Sequence, residues 1–206
     1  MAERRYGEAP PKTDTTLAGA DWYGRTIERE RHANTLFVDL DMIEAQTQGA
    51  IFHECTFRRA RFNASTHQAS AFVNCTFVSC KFFDSRFTEC KFVGSMFDAC
   101  DFDQMQVTGG DWSFTGLPGA VLDRAAFKDA RLREADLTGA SCKGGSLRDV
   151  DLSGAWLHGA DFSACDLRGS DLSAIDPENV RLKDAIITID QTIAIAEALG
   201  LDVRTK

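Results

Sequence analysis

Residues 71–102 read AFVNCTFVSCKFFDSRFTECKFVGSMFDACDF, and within them Phe72, Phe77, Phe82, Phe87, Phe92, Phe97 and Phe102 recur every fifth residue without a break. The same phase extends outward in both directions. Stepping by five from Leu17 to Ile187 visits 35 positions, of which 30 are Leu, Ile, Val, Met, Phe or Trp, including thirteen of the fifteen phenylalanines. A second series two residues earlier selects size instead of hydrophobicity: Cys55, Ala60, Ser65, Ser70, Cys75, Cys80, Ser85, Cys90, Ser95 and Cys100 are all small. After Met105 it resumes, mostly as alanine, through Ala120, Ala125, Ala130, Ala135 and Ala140 to Ser170.

A strict repeat of five fits neither the 3.6 period of a helix nor the 2.0 period of a simple strand. If each pentad forms one side of a square coil, four pentads close a turn, and residue n lies over residue n+20 at the ~4.8 Å spacing of neighbouring strands. Bulky side chains then fill the axis and small ones the crowded space beside them. The fold predicted is all-β, a right-handed quadrilateral parallel β-helix over residues 16–187, of about eight coils.

Residues 1–15, with Pro10 and Pro11, read as a flexible tail, and residues 188–206 as a C-terminal capping and dimerisation segment in which Asp190 caps a short helix that Gly200 stops. Glycines cluster late in the chain at the position two residues after the bulky one. This predicts type II corners after about residue 109 and less regular corners before it. Two weak stretches, 23–34 and 104–118, predict an irregular first coil and a local bulge or kink.

The formal charge of −8 is unevenly spread: residues 1–94 carry 12 acidic and 12 basic side chains, residues 95–206 carry 19 and 11. That balance argues against direct binding of nucleic acid and toward basic partners. No apolar run approaches the ~20 residues of a membrane span, so no membrane association and a cytoplasmic location are expected. Residues 95–187 hold 16 acidic against 9 basic groups. Over the ~22 Å that they span as stacked strands, B-DNA carries ~13 phosphate charges. The net charge density is about half that of a duplex, enough to imitate DNA over selected faces.

The seven cysteines fall on inward phases and form no Cys-x-x-Cys pair; they read as core thiols, with the stacked pairs Cys55/Cys75 and Cys80/Cys100 the candidates for bridging. His67, beside Ser65, reads as a satisfied core histidine. No nucleotide loop, nucleophile elbow or metalloprotease helix is present, so neither an enzyme nor a metal or cofactor is expected.

The pentads Ala135-Asp136-Leu137-Thr138-Gly139, Ala160-Asp161-Phe162-Ser163-Ala164, Cys165-Asp166-Leu167-Arg168-Gly169 and Ser170-Asp171-Leu172-Ser173-Ala174 resemble the pentapeptide-repeat family, whose pattern is small, Asp or Asn, Leu or Phe, then two variable residues. Within it, the Cys- and Phe-rich stretch from Phe52 to Cys100 and the tail Ile189-Asp190-Gln191-Thr192-Ile193-Ala194 leading to Gly200-Leu201 look most like the MfpA/Qnr-like branch.

The resemblance implies a homodimer joined at its C-terminal ends. It further implies a DNA-mimicking rod that binds DNA gyrase, inhibits it or protects it from fluoroquinolones, and so confers antibiotic resistance; the gyrase subunit is not specified. On this reading the gyrase-binding acidic surface comprises Asp111, Asp123, Asp129, Glu134, Asp136, Asp149, Asp151, Asp161, Asp166 and Asp171. The dimerisation residues are Ile187, Ile189, Ile193, Ala196, Leu199 and Leu201. The alternative is a repeat scaffold or protein-interaction module unrelated to topoisomerases, with the outward aromatics Phe83, Phe114 and Trp156 as contacts.

Overall fold

The computed structural model describes residues 9–204, so the expected tail falls partly outside the described residues. From Thr15 onward the chain winds as a parallel β-solenoid whose paired residues lie twenty positions apart. Thr15–Ala18, Thr35–Val38, Thr56–Arg58, Thr76–Val78 and Met96–Asp98 stack in that order on one face. Seven three-residue strands from Thr26–Glu28 to Ser146–Arg148 stack on a second. The third face carries Arg31–Ala33, Ile51–His53 and Ala71–Val73. The fourth is built of single bridges such as Asp21↔Asp41, Asp41↔Arg61 and Arg61↔Lys81.

The axis is the ring stack that the period of five demands. Phe37, Phe57, Phe77 and Phe97 lie face to face at 4.8, 4.9 and 4.8 Å, and Phe52, Phe72 and Phe92 at 4.8 and 4.8 Å. Successive rings around a coil meet edge-on, as Phe52 and Phe57 do at 5.6 Å, so each of these seven rings has both a stacked and a T-shaped neighbour. Trp112 fits the same column at 4.0 Å from Phe92.

The small series does more than save space. The Cys75, Cys80 and Cys90 thiols each donate to the carbonyl of the bulky residue one coil earlier, Phe52, Phe57 and His67, at 3.4 Å. Ser95 and Ser170 do the same toward Phe72 and Leu147 at 2.7 Å. All seven cysteines are free, and only Cys100 is less than fully buried. Burial pushes the Cys90 and Cys165 thiols up to about 11 and about 12, which suits packing and not nucleophilic chemistry.

His67 occupies the axis between Thr47 and Phe87. Thr47 Oγ1 lies 2.8 Å from Nδ1 and Ser65 Oγ 2.8 Å from Nε2. Thr47 is joined in turn to Ser70 Oγ at 2.8 Å, which donates to Gln68 O. The polar island is therefore closed, and its imidazole stacks on Phe87 at 4.6 Å. Full burial holds the His67 pKa down at about 3.

Three expectations need correction. The first coil is not irregular: Thr26–Glu28 and Arg31–Ala33 pair in register with the next coil, because Trp22 closes the end of the axis against His32 and Phe37. Positive φ at the corners is not a glycine privilege either. Twenty non-glycine corners from Arg29 to Asp184 adopt φ between 46 and 59°, most of them stacked between a coil below and a coil above. Hydrogen-bonded corners such as Met42–Ala45 and Phe62–Ser65 run down one face from the first coil, whereas on the other faces they take over from strands later in the chain.

The third correction moves the kink. Residues 104–118 stay in register, with Met105 buried and Pro118-Gly119 forming a regular turn closed by Ala120 N–H to Leu117 O at 3.1 Å. The break lies between this coil and the next. Bridges run Lys81↔Asp101 and Val121↔Ser141, but none joins Asp101 to Val121. Arg124 does not share the positive φ of Gln104 and Gly144 below and above it.

A turn without that positive φ has its central peptide reversed, so the bonds expected from Gln104 N–H to Asp123 O and from Arg124 N–H to Lys143 O are both missing among the described residues. Asp123 compensates on one side by accepting from Ser141 Oγ at 2.5 Å and Lys143 N–H at 2.9 Å. Arg124 compensates on the other by clamping Asp103. A cleft lined by Cys100, Phe102, Asp103, Val121 and Arg124 marks the place.

Two outcomes test this account. Gly139 has positive φ in open space, whereas a Cβ on Gly110 would meet Cys90 O at 2.1 Å. Gly139→Ala is therefore expected to cost about 1 kcal/mol of backbone strain, and Gly110→Ala a further ~1–3 kcal/mol of overpacking, read by denaturant unfolding. The second concerns pH. Because the folded-state pKa of His67 is depressed, the unfolded chain binds the extra proton, and stability falls as pH drops through ~6.5 toward about 3. Between pH 6.5 and 5, above the carboxylate range, the loss should reach ~2 kcal/mol and be largely absent in His67→Phe.

Candidate functional site

The aspartates that precede bulky residues have a local job. Asp101, Asp111, Asp136, Asp151, Asp161, Asp166 and Asp171 each accept, through Oδ1, the backbone N–H two residues on, at 2.9–3.3 Å. One carboxylate oxygen therefore closes an Asx turn, and the other is left for ion pairing or a partner.

The twenty-residue register sets which acids meet. Asp111, Arg131 and Asp151 stack in one column, with Asp171 one coil beyond through its N–H to Val150 O at 2.9 Å. Arg133 Nε also lies 3.8 Å from Asp151. Asp166 is bracketed by Arg168 at 2.7 Å and Arg148 at 3.7 Å, and Arg168 above all holds its carboxyl below the usual range. Asp129 lies 3.9 Å from Lys128 Nζ. Asp149 and Glu134 stand at corners without an ion pair among the described residues, Asp149 leaning over Gly169.

Asp161 departs most from an exposed acidic contact. It is only 6% exposed, between Lys143 and Arg181 at 3.3 Å each. Hydrogen bonds from Ser163 and these two cations hold its carboxyl well below the ordinary value. Asp123, as described, is engaged with Ser141 and Lys143. Asp136, half-buried and without an ion pair among the described residues, keeps its second oxygen for solvent. The ion pairs of Asp151, Asp161 and Asp166 were within reach of sequence reasoning, since Arg133, Arg181 and Arg148 stand about twenty residues away along the register.

The C-terminal end is the other candidate surface. Gln191–Ala198 form a helix that starts after Asp190, whose side chain makes no capping bond, contrary to the sequence expectation. Gln191 does the anchoring instead. Its Oε1 accepts Thr188 N–H at 2.7 Å, and its Nε2 donates to Leu167 O and Ser170 O at 2.8 and 2.7 Å, tying the helix across the last coil. Gly200, at φ +79°, ends it through bonds to Glu197 O and from Leu201 N–H to Ala196 O.

Ile187 and Ile195 pack against the axis, and Ala196 is half-buried. Ile189, Ile193, Leu199 and Leu201 remain 87, 48, 54 and 60% exposed, with Ile186 and Val203 beside them in the sequence also exposed. The helix buries no residue fully, so the last coil is closed on its inner side and apolar on its outer side. No helix is long and apolar enough to cross a membrane among the described residues.

Comparison with known proteins follows this architecture. The chain matches the profile described as pentapeptide repeat region over residues 50–127. It also matches the profile described as pentapeptide repeats (8 copies) over 117–154 and 146–184. A search of curated protein sequences finds no match. Among solved structures, full-length QnrB1, described as a plasmid-mediated fluoroquinolone resistance protein, is similar with a TM-score of 0.71 and 21% identity, over 91% of this chain and 98% of that one. A trypsin-treated QnrB1 variant gives 0.76 and 21% over 94% and 99%. By its repeats, its register and these profile matches, the chain belongs to the pentapeptide-repeat family.

Proposed function

We propose that this protein is a binding protein, not an enzyme, that acts on DNA gyrase by presenting a duplex-like acidic rod, inhibiting the enzyme or protecting it from fluoroquinolones or a natural gyrase poison. The observation that carries the reading is the placement of net negative charge in the half of the solenoid that ends in an exposed apolar surface. Two copies joined at Ile189, Ile193, Leu199 and Leu201 would bring both acidic halves to the centre of a longer rod and leave the near-neutral halves at its tips. A basic protein groove that grips a duplex would meet the charged middle. The fold shared with QnrB1 supports the same direction.

Of the acidic residues named from sequence, the open ones, Asp111, Asp136, Asp149, Asp171 and Glu134, are the stronger contacts. Asp161 belongs to the scaffold, because removing it would strand Lys143 and Arg181.

The direct test is a supercoiling and cleavage assay with cognate gyrase, with and without a quinolone. Inhibition or rescue is expected, with apparent affinity falling as salt rises; absence of both activities would overturn the reading. For the assembly, Ile193→Asp combined with Leu199→Asp should convert a dimer to a monomer by light scattering without changing the circular dichroism. An unchanged mass would place the seam elsewhere.

A further inference from the structure

The four faces of the acidic half are not equivalent. One carries Arg131 and Arg133, a second Lys128, Arg148 and Arg168, and a third Arg124, Lys143, Arg181 and Lys183. On these three, cations stand against the aspartates at 2.7–3.9 Å. The remaining face, made of residues 96–99, 116–119, 136–139, 156–159 and 176–179, holds Asp98, Asp136, Asp176 and Glu178 and no Lys or Arg at all. Its register is secured by the bridges Met96↔Gly116, Gly116↔Asp136 and Asp136↔Trp156. No Lys or Arg pairs with its acids among the described residues; the one basic side chain on the face is His158, which acts on Asp176.

In the middle of that face stands Trp156. It occupies the outward position that Asp136 holds one coil earlier, and it is 58% exposed; one coil later residues 176–180 form a turn closed by Val180 N–H to Asp176 O at 3.0 Å, joined to this coil through Gly159 N–H to Asn179 O at 2.9 Å. The other two tryptophans are buried against rings, Trp22 edge-on to Phe37 and Trp112 stacked on Phe92, whereas Trp156 has no ring or cation–π partner among the described residues. The adjacent edge carries Gly119, Gly139 and Gly159, and between the ring and that corner stands one exposed polar side chain, His158. Positive φ alone does not demand glycine there, since twenty other corners reach it with larger residues. The ring therefore projects from a surface that carries acids and no Lys or Arg.

We infer that this cation-free face is the docking face for the protein partner, with Trp156 as its anchor: the occupant is a positively charged protein surface with an apolar notch that takes the indole while its Lys or Arg side chains meet Asp98, Asp136, Asp176 and Glu178. The inference rests on the gyrase reading and makes it specific to one face. Charge complementarity supplies the occupant. A large, rigid aromatic fringed by carboxylates without Lys or Arg partners combines the side chain most enriched among binding hot spots with the charges that steer encounter. On the other three faces Asp129, Asp151, Asp161 and Asp166 have counter-ions built in and add less.

The experiment measures binding of the full chain to purified cognate gyrase by titration at two salt concentrations. Variants are Trp156→Ala and the pair Asp136→Asn with Asp98→Asn, with Asp151→Asn on a cation-bearing face as the control. Thermal melts of all variants verify the fold, and Trp156→Phe guards against a packing defect by keeping an aromatic ring. Trp156→Ala should weaken binding at least tenfold with an unchanged melt, and Trp156→Phe should restore part of it. The Asn pair should lower affinity and flatten its salt dependence, and Asp151→Asn should do little.

If the wild-type chain binds gyrase while Trp156→Ala and the Asn pair bind equally well, the face is wrong and the gyrase reading stands. If the wild-type chain does not bind gyrase at all, the reading falls and this inference with it.

Discussion

Everything in this molecule depends on the vertical contact between residue n and residue n+20. That contact is at once a backbone hydrogen-bond ladder and a face-to-face stack of axial side chains, and neither is useful without the other. Rings at 4.8 Å fill the axis only if the coils are held at strand spacing. The ladder in turn survives in three-residue strands only because the axis behind it is dry and filled. The inward small residues complete the arrangement by giving their S–H and O–H groups to carbonyls of the coil before.

The same register dictates the exterior. A residue that must form an Asx turn every fifth position places aspartate in vertical columns, and the register then decides what each aspartate faces. Where the partner one coil away is arginine or lysine, as around Asp151, Asp161 and Asp166, charge becomes scaffold. Where it is glycine, tryptophan or another acid, as along Asp136, charge remains available. Sequence-level net charge counts both kinds alike. The distribution of arginine among the columns, more than the number of acids, separates a solvated surface from an interacting one.

Much of this was legible in advance. The period of five and its two phases define the axis, the inward cysteines and the buried His67 directly, because hydrophobicity and size are both read there. The columns at n±20 were equally available, and applying them to basic as well as acidic residues would have found the clamp on Asp161. The corners were not legible, because left-handed conformations held by neighbouring coils accept Arg29, Glu44 or Ala64 as well as glycine. The reversed peptide at Asp123-Arg124 was hidden because Leu122-Asp123-Arg124-Ala125 satisfies the repeat pattern as well as its neighbours do. Asp190 looked like a cap by residue type, but Gln191 reaches two carbonyls of the coil beneath, which no local rule anticipates.

That reversed peptide also bears on how the rod fails under load. In a linear stack each coil touches only the ones above and below, so cohesion is a sum of successive junctions and the weakest governs. At the junction between residues 101–104 and 121–124 three sides stay laced while the fourth is held by one arginine clasp. The rod is thus segmented into an aromatic, nearly neutral block and an aliphatic, acidic one. Tension or solvent invasion would open that seam more readily than the fully laced junctions immediately on either side of it.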